Sequence, residues 1–303
     1  MTVPLIKVVA GPAGSGKTAW IHQQIQDTKS VDDDNIIYFS PGTGNVSIDK
    51  NRMTADFPGI QVFSDTQEVE LLKRIPEAKV VYIELGFYLD LGSLSAILND
   101  LSYRTVAVLP PHLKDSEYHA WADEVISGVP IIPLPLENYR SCSVSLQGEN
   151  KNRRDAENTE ERGKERLVIL DRNRNKSDSS NHLWRVGTDT QVIDEDSLEE
   201  FWYELTHGAY GNVSRAKAIF DVNDGRSIYC DFVAGIPQAG FLELNLPRHL
   251  EGRPQRFSGI EVLGESLDEV TLKQTLSDCF LSDLLVKQFQ QQVKQMLLEG
   301  MQV

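Results

Sequence analysis

An α/β domain with a mainly parallel sheet, followed by a smaller α+β domain, is the architecture that three features of this sequence predict. Short apolar runs alternate with helix-like segments through the first half of the chain, the pattern of right-handed βαβ crossovers. From about Gly148 to Arg166 charges of both signs crowd together with almost no large apolar side chain. Beyond that break the order becomes helix, strands, helix, which suits an α+β unit. A chain of 303 residues also exceeds the usual single domain. The expected division is a first domain over 1–139, a polar, disordered insertion or linker over 140–182 and a second domain over 183–303. Such a linker has too few apolar anchors to offset the entropy of ordering it.

The first apolar run, Leu5 to Ala10, leads into Gly11-Pro12-Ala13-Gly14-Ser15-Gly16-Lys17-Thr18, and a helix-like segment begins near Thr18. This fits G-x-x-x-x-G-K-[ST] in the strand-then-helix context that gives the motif its meaning, a phosphate-binding loop. The expected sheet is therefore that of a P-loop NTPase. Gly11, Gly14, Ser15 and Gly16 let the backbone curl so that N–H groups meet phosphate oxygens at a helix N-terminus. Lys17 is the candidate for the β- and γ-phosphates, and Thr18 offers a hydroxyl to Mg²⁺.

Trp20, Ile21 and Ile25 give the following helix a short apolar face. Asn35 to Phe39 reads as a buried strand. The turn-rich Ser40 to Asn45 sits at its end, where open α/β sheets bind ligands, and is either a switch segment or a tight surface loop. Ile60 to Phe63 is a short strand and Asp65 to Arg74 a helix ending near Pro76. Lys79 to Glu84 is an apolar run closing on a carboxylate. In phosphate-loop enzymes the second chemical element is such a strand, whose acid holds Mg²⁺ or polarises water. Glu84 is the candidate for both roles, with Asp90 in reserve. Ser93 to Leu101 reads as a helix, Arg104 to Leu109 as a strand, and the proline-broken Val129 to Leu136 as at best an edge strand. His112 and His119 stand seven apart, not the three or four that place two ligands on one helical turn.

Past the polar break, Asn175-Lys176-Ser177-Asp178 matches N-K-x-D, in which the Asp reads a guanine edge. A working site has the Asn directly after a buried strand, whereas Asp171 to Arg174 intervene here. Asn175, Lys176 and Asp178 are thus candidates for base contact, with a chance match in a polar loop as the alternative. The second domain is expected to open on a capping box, Ser197 to Glu200, ahead of a helix carrying Phe201, Trp202 and Leu205. Strands follow at Asn212 to Val222, Ser227 to Ala234, Phe241 to Leu246 and Phe257 to Leu263, the first two joined by the hairpin signal Asn223 to Arg226. Ser266 to Glu269 caps a helix reaching about Leu281. Leu285, Phe289, Val293 and Leu297 then form a stripe that packs on its own domain or receives a partner.

A net charge of −15 argues against a general nucleic-acid surface, since phosphates would be repelled. Cys142, Cys230 and Cys279 are odd in number and far apart, which suits a reducing compartment and no disulfide framework. The amino terminus has no basic stretch leading into an apolar one, and no run is long enough to cross a bilayer, so the expected location is cytoplasmic, without a membrane partner.

Taken together these stretches resemble the CobW family of phosphate-loop GTPases. Gly11 to Thr18 matches the family loop. Gly44 with Ile48-Asp49 matches its G-E-V-G-I-D segment, and Glu84 to Gly92 aligns ungapped with E-T-S-G-L-A-D-P-G. The most specific likeness is C-terminal. Val213 to Phe220 is similar to the R-A-K-G-x-F opening of the CobW C-terminal domain, and Arg256 to Cys279 repeats its R-F-x-x-I-x-x-x-G and L-D-E-x-x-L-x-x-x-L-x-x-C portions. The resemblance implies GTP or GDP as ligand, with ATP as the less favoured alternative, and Mg²⁺ as cofactor. It also implies a slow GTPase acting as a maturation factor or metallochaperone, with a client protein docked through the C-terminal domain. The departures point elsewhere. The C-x-C-C metal motif is absent, Asn45 replaces a Glu, Phe87 replaces a glycine, and histidine-rich tracts are missing. They favour a nucleotide-dependent interaction module with little hydrolysis or metal transfer.

Overall fold

The computed structural model describes residues 3–28, 35–86, 98, 101–110, 113, 118–128, 181–236 and 240–300. These fall into two compact units, one ending at Gly128 and the other beginning at Asn181 among the described residues. No helix among them is long and apolar enough to cross a membrane.

The first unit runs β1 (Leu5–Ala10), α1 (Lys17–Thr28), β2 (Ile36–Phe39), α2 (Ile48–Asp56), β3 (Gln61–Phe63), α3 (Glu68–Arg74), β4 (Val80–Glu84), β5 (Tyr103–Leu109), α4 (Tyr118–Trp121) and β6 (Glu124–Ser127). Its sheet has the order β3-β2-β4-β1-β5-β6, and every pair is parallel. Parallel strands are covered on both faces, which is why β1 and β4 are apolar except for Lys7 and the terminal Glu84. Alternation along β1 sends Ile6 and Val8 into one core with Phe39, Leu71 and Ile83, and Val9 into the other with Ile21, Ile25 and Met53. The chain lays β2 and β3 on one side of β1 and returns to place β5 and β6 on the other. The phosphate-type loop leaves β1 at this reversal, where open α/β sheets form their ligand crevice.

The strands expected before Leu109 lie within two residues of their observed places. Two elements are additional to those expected. Residues Ile48–Asp56 form a helix in a stretch without a strong apolar period, and Glu124–Ser127 is the edge strand among the described residues. Asp123 fastens that edge: its carboxylate accepts from the Thr105 backbone N–H at 2.9 Å and from the Thr105 hydroxyl at 2.8 Å. A local anchor of this kind needs no long apolar strand. The run 129–136, the helix expected over 93–101 except Leu98 and Leu101, and the linker over 140–182 up to Ser180 lie outside the described residues.

The second unit contains β7 (Asn181–Gly187), β8 (Val192–Ile193), α5 (Glu195–Thr206), β9 (Asn212–Val222), β10 (Ser227–Val233), β11 (Leu242–Glu243), β12 (Gly259–Glu265), α6 (Glu269–Asp278) and α7 (Asp283–Gly300). Its main sheet, β11-β10-β9-β12-β7, is antiparallel, and β8 adds a short parallel pairing to β9. Leu198, Phe201, Trp202 and Leu205 recur at helical spacing and join the core formed with Ala216, Ala218 and Phe220 of β9. The two alanines leave room for the bulky helix face.

Both caps differ from the expected boxes. Asp194, not Ser197, caps α5, its carboxylate accepting from the Ser197 N–H at 3.2 Å, and Asp268, not Ser266, caps α6 by accepting from the Thr271 N–H at 3.1 Å. In each case an Asp in the right place outcompetes the Ser that fits the pattern. The stripe on α7 is also displaced. Val286, Gln290 and Val293 are buried, while Leu285 and Leu297 are exposed, because Gln290 turns inward to bridge the Gly252 N–H, the Gly252 carbonyl and the His249 carbonyl. Phe241 to Leu246 yields only the two-residue β11.

Candidate functional site

The loop after β1 owes its course to glycine. Gly14 and Gly16 hold φ of 72° and 89°, conformations that cost other residues dearly. At Gly11 a Cβ would lie 2.2 Å from the Val108 carbonyl oxygen and 2.7 Å from Ser15 Oγ, so the backbone passes β5 with no room for a side chain. A second close approach comes from Gly128 at the end of β6, where a Cβ would sit 2.0 Å from the Ser15 carbonyl oxygen. Gly128 is held there by its N–H, which donates to the Leu109 carbonyl at 2.8 Å. Nothing in the sequence connects Gly128 with the loop, since the β5–β6 register is what brings the pair together.

Lys17 is 8 % exposed, and its Nζ donates to the carbonyls of Gly11 at 3.0 Å and Pro12 at 2.9 Å. The ammonium thus closes back over its own loop. Ser15 is 2 % exposed, and its hydroxyl lacks a hydrogen-bond partner among the described residues. Such an orphaned buried hydroxyl is uncommon, and an anion in the loop would satisfy it. The N–H groups that open α1 have no carbonyl one turn back within the helix. Donor set, glycine curvature and helix dipole all fit a phosphate chain.

Glu84, the last residue of β4, is 4 % exposed. Register places it beside Val9 of β1, one strand from the loop. Its Oε1 accepts from the Thr18 hydroxyl at 2.8 Å, and its Oε2 accepts from the Tyr38 hydroxyl at 2.9 Å. Thr18 and Glu84 stand 66 residues apart in sequence and meet as the motif reading requires. Their oxygens are the hard donors that suit Mg²⁺. Burial first, then the nearby Glu84 and Asp49 carboxylates, push the Tyr38 phenol well above its ordinary pKa, so it remains a donor. Asp49, buried in the first turn of α2, brings a second carboxylate to this neighbourhood.

The segment Ser40 to Asn45 lies at the end of β2 as expected. It is packed, with Ser40 and Thr43 buried, and Asp65 fastens it by accepting from the Gly42 N–H at 2.6 Å and the Gly44 N–H at 3.1 Å. Sequence reasoning missed Tyr38, Asp65 and Gly128. Tyr38 was hidden inside an apolar strand, although a tyrosine there needs a partner for its hydroxyl. Asp90, Phe87 and the base-reading candidates Asn175, Lys176 and Asp178 lie outside the described residues, as do Cys142 and His112. Among the described residues no three His, Cys, Asp or Glu side chains group as metal ligands, and Cys230 is buried with its thiol pKa pushed up by that burial.

No protein family's profile matches the chain, and no curated protein matches it. Among solved structures it is similar to the Zn(II)-bound YjiA GTPase from E. coli, at 13% identity, covering 92% of this chain and 99% of that one, with a TM-score of 0.28. It is likewise similar to a Zn(II)-bound triple mutant of YjiA GTPase, at 14% identity, the same coverages and a TM-score of 0.28. Similarity at that level leaves the site to be read from its own geometry.

Proposed function

We propose that this chain binds a guanine nucleotide with Mg²⁺ through the Gly11–Thr18 loop and hydrolyses GTP slowly at most. The hydrogen bond from Thr18 to Glu84 carries the reading, because it joins the loop's last residue to the acid at the end of the adjacent strand. Gly14, Ser15, Gly16 and Lys17 bind the phosphates, and Thr18 and Glu84 hold the metal ion. When bound, Mg²⁺ supplies charge neutralisation between the β- and γ-phosphates. Lys17 leaves its two loop carbonyls for phosphate oxygens, a charge-assisted contact stronger than those it gives up. Guanine over adenine rests on the CobW resemblance of the C-terminal stretches and not on the site.

A second reading, a nucleotide-dependent interaction module with little turnover, is favoured by the Ser40 to Asn45 segment. It carries no carboxylate, arginine or lysine and is tied to Asp65 through Gly42 and Gly44. Hydrolysis needs an in-line water held in place, and this segment offers few groups to hold one. Maturation of a client protein, in the cytoplasm and through the second unit, is the biological role we assign to either reading. Equilibrium binding of GTP, GDP, ATP and ADP with Mg²⁺, followed by single-turnover hydrolysis, tests both. We expect guanine nucleotides to bind and turnover to be about 10⁻² s⁻¹ or slower, the range of unassisted GTPases. Absence of affinity for all four nucleotides would refute the proposal, and turnover near 1 s⁻¹ would refute the interaction-module reading.

A further inference from the structure

Tyr38 is placed by register. It pairs with Tyr82 across β2 and β4, so Glu84, two residues further along, leaves the same face and lies diagonally from it. Only a long or aromatic side chain spans that diagonal. The ring is wholly buried among Val9, Ile21, Ile25, Met53 and Val106, a core that phenylalanine would fill as well. What distinguishes tyrosine is the hydroxyl, and it goes to Glu84 Oε2 at 2.9 Å. The terminal torsion of a glutamate is broad, and hydroxyls on both oxygens, Thr18 on Oε1 and Tyr38 on Oε2, narrow it.

We infer that Tyr38 is the positioning residue for the Glu84 carboxylate, fixing it to hold Mg²⁺ and keeping Oε2 from acting as the acceptor of a proton from water. The inference rests on the nucleotide and Mg²⁺ reading above. Partners that orient a metal-binding side chain commonly change metal affinity by 10–100-fold when removed. Lys17 and the loop glycines bind phosphate independently of Tyr38, so its effect belongs to the metal-dependent part of nucleotide affinity.

The test measures GDP affinity with Mg²⁺ and with EDTA for the full chain, in wild type, Tyr38→Phe, Glu84→Gln and the double variant. Tyr38→Phe should reduce the gain in affinity brought by Mg²⁺ about tenfold while leaving affinity in EDTA unchanged. In the Glu84→Gln background the same substitution should have no further effect. An undiminished Mg²⁺ gain in Tyr38→Phe overturns the inference, as does an equal loss in both backgrounds. If wild type binds no nucleotide in either condition, the nucleotide reading itself fails and the role of Tyr38 falls with it. Should Tyr38→Phe not fold, 3-fluorotyrosine placed at position 38 gives a second readout. Its ¹⁹F resonance should move when Mg²⁺ joins GDP and not with GDP alone, and a resonance indifferent to Mg²⁺ overturns the assignment.

Discussion

Lys17 is held by two carbonyls of its own loop, and that decides what its loss would do. The Gly11 carbonyl is buried and the Pro12 carbonyl partly so, and removing the ammonium deprives both of a donor. Lys17→Ala should therefore still fold, with a stability loss of about 1–3 kcal/mol, the usual cost of leaving a buried acceptor without its donor. Phosphate binding would lose a charge-assisted contact worth roughly 1.5–3 kcal/mol at minimum, that is at least tenfold in affinity. Isothermal titration with GDP and Mg²⁺ checks this, and unchanged affinity in a folded variant would reduce the loop to a structural turn. At this scale the sequence was most informative where a motif fixes residue types at short spacing. Gly11, Gly14, Ser15, Gly16, Lys17 and Thr18 announce themselves together, and Glu84 is marked by ending an apolar run. Tyr38 was not legible, because its partner lies 46 residues away and its neighbours in sequence are all strand formers.

The element that sequence patterning did not place is one that ends close against the loop. The strand β6 is short, begins with Glu124 and alternates weakly, so no strand is expected there from periodicity. Its position depends on Asp123 gripping Thr105, an interaction that periodicity does not encode. The caps of α5 and α6 show the same limit, since Asp194 and Asp268 prevail over serines that fit the box pattern. The central strands were legible because burial on both faces demands largely apolar residues. β6 makes a specific prediction. A Cβ at Gly128 would enter to 2.0 Å of the Ser15 carbonyl oxygen, a backbone atom that cannot swing aside. Gly128→Ala should cost about 1–3 kcal/mol in chemical denaturation, the usual scale of overpacking. It should also weaken nucleotide binding by shifting the loop. A variant as stable as wild type with unaltered affinity would show that β6 gives way and that the loop does not depend on it.

The described residues form three cores. Two lie on opposite faces of the parallel sheet in the first unit, one with α3 and the other with α1 and α2, and the third joins α5 and α6 to the antiparallel sheet of the second unit. The groups proposed to bind nucleotide all belong to the first unit, from Gly11 and Lys17 to Glu84. A ligand that binds only the native state stabilises whatever unfolds with its site, by RT ln(1 + [L]/Kd), about 2.7 kcal/mol at a hundredfold excess over Kd. If the two units open as separate cooperative blocks, that stabilisation is confined to the first. Hydrogen exchange resolves the question strand by strand without any substitution. With Mg²⁺ and GDP at 100 Kd, the slowest amides of β1, β4 and β5 should exchange about a hundredfold more slowly, while those of β9, β10 and β12 should keep their rates. Equal slowing in both sheets would mean that the units unfold as one block.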